Sequence, residues 1–214
     1  MSQRKFRIGV LGSGTMGTAL AGCFTKSGHE VLVGARRIPG RESMPSYQDT
    51  VARSEVIFLA LSWPHGLDCV RNIDSFENRI LVDVSNPESE DGRSLVLGPD
   101  ESGAELIAAN ARGARVVKAF SHFYAEIVTG NHEFDGGLPS VLYCGDDADA
   151  KVIVHRLIAG CRFDPIDAGD LRVARYLEPM AMLTVQLVRN MGWGPSGMAW
   201  RVMREWCQGQ FEGF

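Results

Sequence analysis

Short apolar runs alternate with amphipathic stretches through most of the chain. The apolar runs are rich in β-branched residues, and several are apolar throughout, as expected of strands covered on both faces of a sheet. The predicted strands are Phe6–Leu11, Glu30–Gly34, Val56–Leu61, Ile80–Val84, Arg115–Ala119, Val141–Cys144 and Arg162–Ile166. Their alternation with helical patterns predicts an α/β fold with a doubly wound, mostly parallel sheet.

The helical patterns have apolar residues at helical spacing. The predicted helices between strands are Met16–Ser27, a short piece near Pro64–Cys69, Ala104–Ala111 and Asp147–Ala159. After Asp167 the strand pattern ends, and Glu178-Pro179 is predicted to open a last helix, with Pro179 in its first turn. We therefore expect an α/β domain over 1–170 and a short helical C-terminal extension over 171–214, packed on that domain or in a dimer interface.

A glycine-rich turn directly follows the first predicted strand. Gly12-Ser13-Gly14-Thr15-Met16-Gly17 has the form G-x-G-x-x-G and opens the first helix. Gly12 permits a tight turn, Gly14 lets the main chain approach a pyrophosphate, and Gly17 lets the helix pack on the strand. The free N–H groups of the helix start favour phosphate. Because a second strand follows within one βαβ length, the motif predicts a Rossmann dinucleotide site rather than a purely structural turn.

The end of the second predicted strand indicates which dinucleotide binds. The chain reads Gly34-Ala35-Arg36-Arg37 there, and the first acidic residue is Glu42. An NAD site usually has a carboxylate at this place, which would repel a 2′-phosphate. Guanidinium groups pair well with phosphate oxygens. The sequence therefore predicts NADP(H), with Arg36 and Arg37 at the 2′-phosphate and Ala35 as a further cofactor-binding residue. For one of the two arginines a solvated basic turn is the alternative.

Composition narrows the classes of partner and compartment. The 214 residues are 45% apolar and 22% charged, enough for one sizeable core, and the net charge of −4 favours neither nucleic acid nor an anionic membrane as a partner. Five cysteines without a C-x-x-C predict reduced thiols, no metal site and a cytoplasmic location. No apolar run approaches the length of a membrane span.

Further strings in the chain resemble a known family. They are Ile80–Pro87 (I-L-V-D-V-S-N-P), Arg115–Phe120 (R-V-V-K-A-F) and Cys144–Asp147. Together with the glycine turn and Val33–Arg37, they resemble F420-dependent NADP reductases and the cytosolic oxidoreductase domain of STEAP-type metalloreductases, from about Arg7 to Gly192. The resemblance implies hydride transfer between NADPH and a flavin-like acceptor. That acceptor is F420 in one branch; in the other it is a flavin such as FAD or FMN, which passes electrons through haem to ferric or cupric ions.

The resemblance also implies which residues lie near the cofactor. They follow predicted strands, and they are Leu61, Ser62, Trp63, Pro64, His65, Asn86, Pro87, Ala119 and Phe120. Of these, Asn86 and Pro87 would flank the nicotinamide ribose, and Ala119 and Phe120 would lie close to the nicotinamide. His65 and His122 are candidate contacts to the acceptor or proton donors to it, because histidine titrates near neutrality; ordinary loop histidines are the alternative.

Two departures from the family pattern limit which properties of the family we expect in this chain. The family string commonly continues K-A-F-N, whereas this chain has Ser121-His122 after Phe120, so the role of that Asn in positioning the acceptor does not transfer. STEAP proteins continue into a haem-bearing membrane domain, of which this sequence shows no sign. We therefore expect a reductase without its own membrane span, forming a homodimer, rather than a complete transmembrane metalloreductase.

Two other functions stay open. A non-catalytic NADP(H)-sensing module would fit the absence of a defined acid–base pair. A small carbonyl or imine reductase would use Lys118 or His122 as its acid, although little chain remains after the last predicted strand for a separate substrate domain. Lys118 lies inside an apolar strand, where a lysine that reaches to the sheet edge or pairs with a carboxylate is the simpler interpretation.

Overall fold

A single seven-stranded sheet forms the centre of the molecule. The computed structural model describes residues 4–36, 44–130 and 134–204. The strands are β1 (Arg7–Leu11), β2 (Glu30–Gly34), β3 (Val56–Leu59), β4 (Ile80–Asp83), β5 (Arg115–Lys118), β6 (Ser140–Gly145) and β7 (Asp164–Asp167). Their spatial order is β2-β1-β3-β4-β5-β6-β7, and every neighbouring pair is parallel except β5 with β6. The predicted doubly wound, mostly parallel Rossmann-like sheet is confirmed.

Helices cover both faces of the sheet. They are α1 (Thr15–Lys26), α2 (Tyr47–Arg53), α3 (His65–Arg71), α4 (Gly103–Asn110), α5 (Ala125–Thr129), α6 (Ala148–Gly160) and α7 (Ala174–Met191), with a 3₁₀ turn over Leu171–Val173. Neither α2 (7 residues) nor α5 (5 residues) was predicted, and α3, also of 7 residues, was predicted only as a short piece near Pro64–Cys69. Helices this short show only a weak apolar period.

Alternate residues of β3 show how the two layers form. Phe58 packs into a core with α1, α5 and α6, whereas its neighbour Ile57 packs into a second core with α2, α3, α4 and α7. Because successive side chains of a strand point to opposite faces, an entirely apolar strand is buried on both sides. This is why β3 reads as a continuous apolar run.

The strand order reverses between β1 and β3. The chain leaves β1 for β2 on one side and then returns across β1 to β3 on the other. Open α/β sheets bind ligands outside the carboxyl ends of the strands at such a switch point. Gly12 lies at this point, and its N–H donates to the Gly34 carbonyl at 3.0 Å, which joins the ends of β1 and β2.

The last helix differs from its prediction. It begins at Ala174 rather than at Glu178, so Pro179 lies inside the helix instead of in its first turn. Proline has no N–H to donate to the carbonyl four residues earlier, which makes an interior position costly. Ala174 and Leu177 are buried against the second core, and this packing outweighs the local preference. The division at residue 170 stays a prediction; β7 ends at Asp167, close to it.

The cysteine prediction is wrong for one pair. Cys23 at the end of α1 and Cys161 after α6 form a disulfide, whereas Cys69 and Cys144 are free thiols. The two bonded residues are 138 positions apart, so no local spacing could reveal them. The fold brings the two helix ends together, and the Ser27 hydroxyl donates to the Gly160 carbonyl at 2.8 Å beside the pair.

Candidate functional site

A cleft of about 980 Å³ opens at the carboxyl ends of β1 to β5. It is lined by residues of the glycine turn, of the loops after β2 to β5, and of α7. These are Gly12, Ser13, Gly14, Thr15, Met16, Ala35, Arg36, Tyr47, Ala60, Leu61, Ser62, Trp63, Val84, Ser85, Asn86, Glu88, Ser89, Glu90, Gly92, Ser121, His122, Phe123, Tyr124, Ala181, Thr184 and Val185. The cleft therefore lies at the switch point of the sheet.

The three motif glycines have different surroundings. Gly12 has φ +120°, and a Cβ there would strike the Ala60 carbonyl. A Cβ on Gly17 would strike the carbonyl of Gly12, so Gly17 lies against the turn rather than in the cleft wall. A Cβ on Gly14 would meet no atom within 4 Å. Packing therefore explains Gly12 and Gly17, while Gly14 leaves room in front of the α1 amino terminus, where a phosphate group fits.

The loop after β2 forms one end of the cleft. Arg36 is exposed there, next to Tyr47 at the start of α2; Arg37 lies outside the described residues. Burial raises the pKa of the Tyr47 phenol, and the charge and main-chain N–H of Arg36 act against that rise. The Ala35 N–H donates to the Pro45 carbonyl at 3.1 Å, which holds the loop against the approach to α2. This end presents one guanidinium group beside a half-buried aromatic ring.

The loop after β3 contributes Leu61, Ser62 and Trp63 to the wall. His65, the first residue of α3, is exposed and lies outside the wall, although its Nδ1 is 3.2 Å from the Ser62 hydroxyl. His65 therefore contacts a residue of the cleft wall but does not itself line the cleft. Its contact with an acceptor stays a prediction.

Residues after β4 and β5 form the opposite end. Asn86 lines the cleft, and its Nδ2 donates to the Ser121 carbonyl at 2.7 Å. Pro87 and Ala119 are buried outside the wall. Phe120 has φ +60°, and its ring packs in the core against Phe58 and Phe163. The predicted roles of Pro87, Ala119 and Phe120 at the nicotinamide stay predictions, and the Phe120 ring faces the core.

His122 is a buried neutral imidazole in the cleft wall. Only 1% of it is exposed, and its Nε2 lies 3.2 Å from the Ser140 carbonyl. Because a carbonyl only accepts, Nε2 carries the hydrogen and Nδ1 is left with a lone pair. Burial lowers the pKa of His122 to about 4, with the Lys118 charge acting in the same direction and the bond to Ser140 against it. At neutral pH the ring can accept a hydrogen bond but is not a charged proton donor.

Lys118 belongs to a buried ion network rather than to the cleft wall. Its Nζ is 2.9 Å from carboxylate oxygens of both Asp83 and Glu178, and it donates to the Ser85 carbonyl at 2.7 Å. Burial alone lowers the pKa of Lys118, but the two carboxylates outweigh burial and raise it. Glu178 also accepts from the N–H groups of Gly103 and Ala104 at the start of α4. The carboxylate pairing, one of the two simpler interpretations, is the arrangement observed.

Helix α7 supplies wall residues that the sequence did not reveal. Ala181, Thr184 and Val185 face the cleft at helical spacing. The Thr184 hydroxyl accepts from the Trp200 indole N–H at 2.7 Å, which ties the segment after α7 to the same wall. The apolar period of α7 indicated burial but not the partner. Within the described residues, α7 therefore completes the cleft in the same chain.

The described residues hold neither a cluster of metal-ligating side chains nor a helix that could span a membrane. Over residues 4–36, 44–130 and 134–204, no group of three or more His, Cys, Asp or Glu side chains is placed to hold a metal ion. In the same ranges, no helix is both long and apolar enough to cross a bilayer.

Comparisons with known proteins agree with this geometry. Residues 7–87 match the family described as NADP oxidoreductase, coenzyme F420-dependent. The metalloreductase STEAP3 of Rattus norvegicus is 32% identical over 183 residues, covering 82% of this chain and 36% of that protein. A crystal structure assigned as an F420-dependent NADP reductase from Arthrobacter sp. FB24 is 26% identical, with a TM-score of 0.76 and coverage of 93% and 100%.

A more distant solved structure shares the fold alone. A reductive aminase from Aspergillus terreus, in complex with NADPH and ethyl levulinate, is 19% identical with a TM-score of 0.59, covering 89% of this chain and 64% of that one.

The fold, the glycine turn and the family match point to one class, because the chain is similar to NADP-dependent oxidoreductases. Within that class it is related to both the F420-dependent NADP reductases and the STEAP metalloreductases, which confirms the resemblance seen in the sequence. The chain spans little more than a third of the length of the curated relatives it matches.

Proposed function

We propose that this protein transfers a hydride between NADPH and a flavin-like acceptor such as F420, FAD or FMN. One observation carries the proposal: the glycine turn, Arg36 and the polar groups after β4 and β5 all line one continuous cleft. Its volume of about 980 Å³ lies at the upper end of the range of roughly 300–1,000 Å³ that is common for small-molecule sites.

The residues that line the cleft favour one orientation of NADPH along it. The 2′-phosphate fits the guanidinium group of Arg36, and the adenine fits beside the Tyr47 ring. The pyrophosphate fits the N–H groups at the start of α1, in front of Gly14. The nicotinamide then extends toward Asn86 at the other end of the cleft. NADPH, when bound, supplies the hydride itself.

The remaining task of the protein is to hold two rings face to face and keep water away. Trp63, Phe123, Ala181 and Val185 supply apolar surface to the wall of the cleft. Apolar walls of this kind exclude water, and hydride transfer between nicotinamide and a flavin ring needs no protein acid or base beyond that. Catalysis therefore does not require an acid–base pair in the wall of the cleft.

The choice of a flavin-like acceptor rests on the relatives. The matched family is described as F420-dependent, and the curated relatives are metalloreductases. Onward transfer to ferric or cupric ions belongs to the same proposal. A carbonyl or imine reductase is less favoured, because Lys118 is held by two carboxylates and His122 is uncharged at neutral pH.

A turnover assay tests the proposal. NADPH is mixed with the purified protein and F420, FMN, FAD or a ferric chelate, and its absorbance is followed together with that of the acceptor. We expect oxidation of NADPH well above background with at least one flavin-like acceptor. Tight NADPH binding with background turnover on the whole panel would favour the NADP(H)-sensing alternative instead.

The expected homodimer and the cytoplasmic location stay predictions. A homodimer is supported by exposed apolar residues on α7, since Tyr176 is 73% exposed and Leu183 48%. Measurement of the molar mass in solution checks it.

A further inference from the structure

We propose that Asn86, Ser121 and His122 form a recognition site for the primary amide of the nicotinamide ring. This inference rests on the proposed binding of NADPH and names the residues that select its reactive end. It also assigns a role to Ser121, at which the chain departs from the family string, and to His122, which follows it.

The first observation is a cluster of unpartnered polar atoms. Asn86 Oδ1, Ser121 Oγ and His122 Nδ1 are buried and have no hydrogen-bond partner among the described residues. All three residues line the same cleft, and Ser121 and His122 are only 6% and 1% exposed. In the described part of the chain, one other buried side-chain atom has no hydrogen-bond partner, Nε2 of His29. The His29 ring packs against Phe6 and Phe24. Buried polar groups normally have partners, so such a cluster in one wall points to a ligand.

The second observation is which of these polar atoms can donate a hydrogen bond and which can accept one. The Asn86 Nδ2 donates to the Ser121 carbonyl at 2.7 Å, which leaves Oδ1 as an acceptor. The His122 Nε2–H faces the Ser140 carbonyl, which leaves Nδ1 as a second acceptor. The Ser121 hydroxyl can donate. The cluster therefore offers two acceptors and one donor, all uncharged.

A primary amide has the complementary set of groups. Its NH₂ group donates two hydrogen bonds and its carbonyl accepts, which pairs with two acceptors and one donor. A carboxylate or phosphate only accepts, so it would face the lone pairs of Asn86 and His122. The imide edge of a flavin-like ring has one N–H between two carbonyls and would leave one of these acceptors unpaired. The nicotinamide carboxamide is therefore the best match.

The imidazole is held by the fold itself. The Ser140 carbonyl fixes which nitrogen of His122 carries hydrogen, and the Ser140 N–H in turn donates to the Trp200 carbonyl at 2.8 Å. Trp200 is tied to Thr184 in the cleft wall. The segment after α7 thus braces the strand end that orients His122, which makes His122 a preorganised acceptor.

The change Ser121→Ala tests the site from the protein side. Because Ser121 Oγ has no partner in the described residues, we expect the free protein to keep or raise its melting temperature while NADPH affinity falls about tenfold. Ser54→Ala is the matched control: Ser54 is also buried, but its hydroxyl donates to the Thr50 carbonyl at 2.7 Å near the other end of the sheet. The control should lower the melting temperature and leave NADPH affinity unchanged. Loss of stability in Ser121→Ala with unchanged affinity would overturn the proposal.

A cofactor analogue tests it from the ligand side. Replacing the carboxamide of NADP⁺ by an acetyl group keeps the carbonyl but removes both N–H donors. We expect the wild type to prefer NADP⁺ about tenfold, and His122→Phe or Asn86→Leu to reduce that preference to near one. An unchanged preference in both variants would overturn the inference, as would an effect of the variants on the KM of the acceptor alone.

Binding of 2′,5′-ADP separates this inference from the function on which it rests. That ligand has the adenosine and the 2′-phosphate but no nicotinamide, so wild type and Ser121→Ala should bind it equally. Equal binding with no discrimination between amide and acetyl would overturn only the amide site. Failure of both 2′,5′-ADP and NADPH to bind would overturn the proposed function together with the inference.

Discussion

Gly12, Gly14 and Gly17 share one motif but meet three different surroundings. A side chain at Gly12 or Gly17 would clash with a neighbouring carbonyl, whereas the space in front of Gly14 is open. The motif could be read from the sequence because its spacing is local. The state of His122 could not be, since it depends on burial and on the Ser140 carbonyl, 18 residues away on β6.

Gly14→Ala should separate cofactor binding from folding. The added methyl meets no protein atom within 4 Å, so stability should change by less than about 1 kcal/mol, while NADPH affinity should fall at least tenfold because the methyl occupies the phosphate space. Gly22→Ala is the control, since Gly22 lies inside α1 with equally open surroundings. That variant should gain about 0.5–1 kcal/mol of stability. Calorimetry of unfolding and of NADPH binding measures both effects; equal NADPH affinity in the two variants would contradict the phosphate position.

At the scale of elements, α7 shows where sequence reasoning succeeded and failed. Its apolar period predicted a helix near the right place, but the first turn was misjudged because Pro179 suits a helix start. The actual start is fixed by packing and by Glu178, which reaches both Lys118 on β5 and the amino terminus of α4. Such long-range contacts leave no local pattern in the sequence.

Glu178→Gln should destabilise the protein strongly. The change removes a carboxylate from a buried network in which Lys118 is fully enclosed, and we expect a loss of about 3 kcal/mol in the free energy of unfolding. Glu105→Gln is a matched control, because the Glu105–Arg175 pair also links α4 to α7 but is partly exposed. It should cost less than about 1 kcal/mol. Urea titration compares the two; similar losses would show that the buried network does not anchor α7.

For the molecule as a whole, the doubly wound, mostly parallel sheet followed from the alternation of strands and helices. Part of the cleft wall could not be predicted in this way, because Tyr47, Ser121 and Thr184 come from distant parts of the chain. The Cys23–Cys161 bond is equally non-local. The hydrophobic period along the chain predicts strands, helices and their layers. The contacts between layers join residues far apart in the sequence, so this period does not predict them.

Global stability should fall as the pH is lowered from about 6.5 toward 4. Burial holds the pKa of His122 at about 4, below the ordinary value of 6.5, so the unfolded chain takes up a proton in this window before the folded protein does. Stability is therefore present above the unfolded pKa and is lost on acidification, by up to about 3 kcal/mol. His29, whose pKa is also lowered by burial, adds to the same trend.

The variant His122→Phe isolates the contribution of His122. Its free energy of unfolding, measured by denaturant titration at several pH values, should depend less steeply on pH between 6.5 and 4 than that of the wild type. The smaller slope contributed by His29 should remain. Equal slopes in variant and wild type would contradict the burial of a neutral His122.

Equilibrium binding of NADPH and NADH to the wild type and to Arg36→Ala tests the central claim most directly. Arg53→Ala, an exposed arginine at the end of α2, is the control. We predict that the wild type and the control prefer NADPH, and that Arg36→Ala weakens NADPH by about 1.5–3 kcal/mol while NADH is unaffected. Equal affinity of the wild type for NADPH and NADH, or an equal loss of both in Arg36→Ala, would contradict the assignment of this cleft to NADP(H).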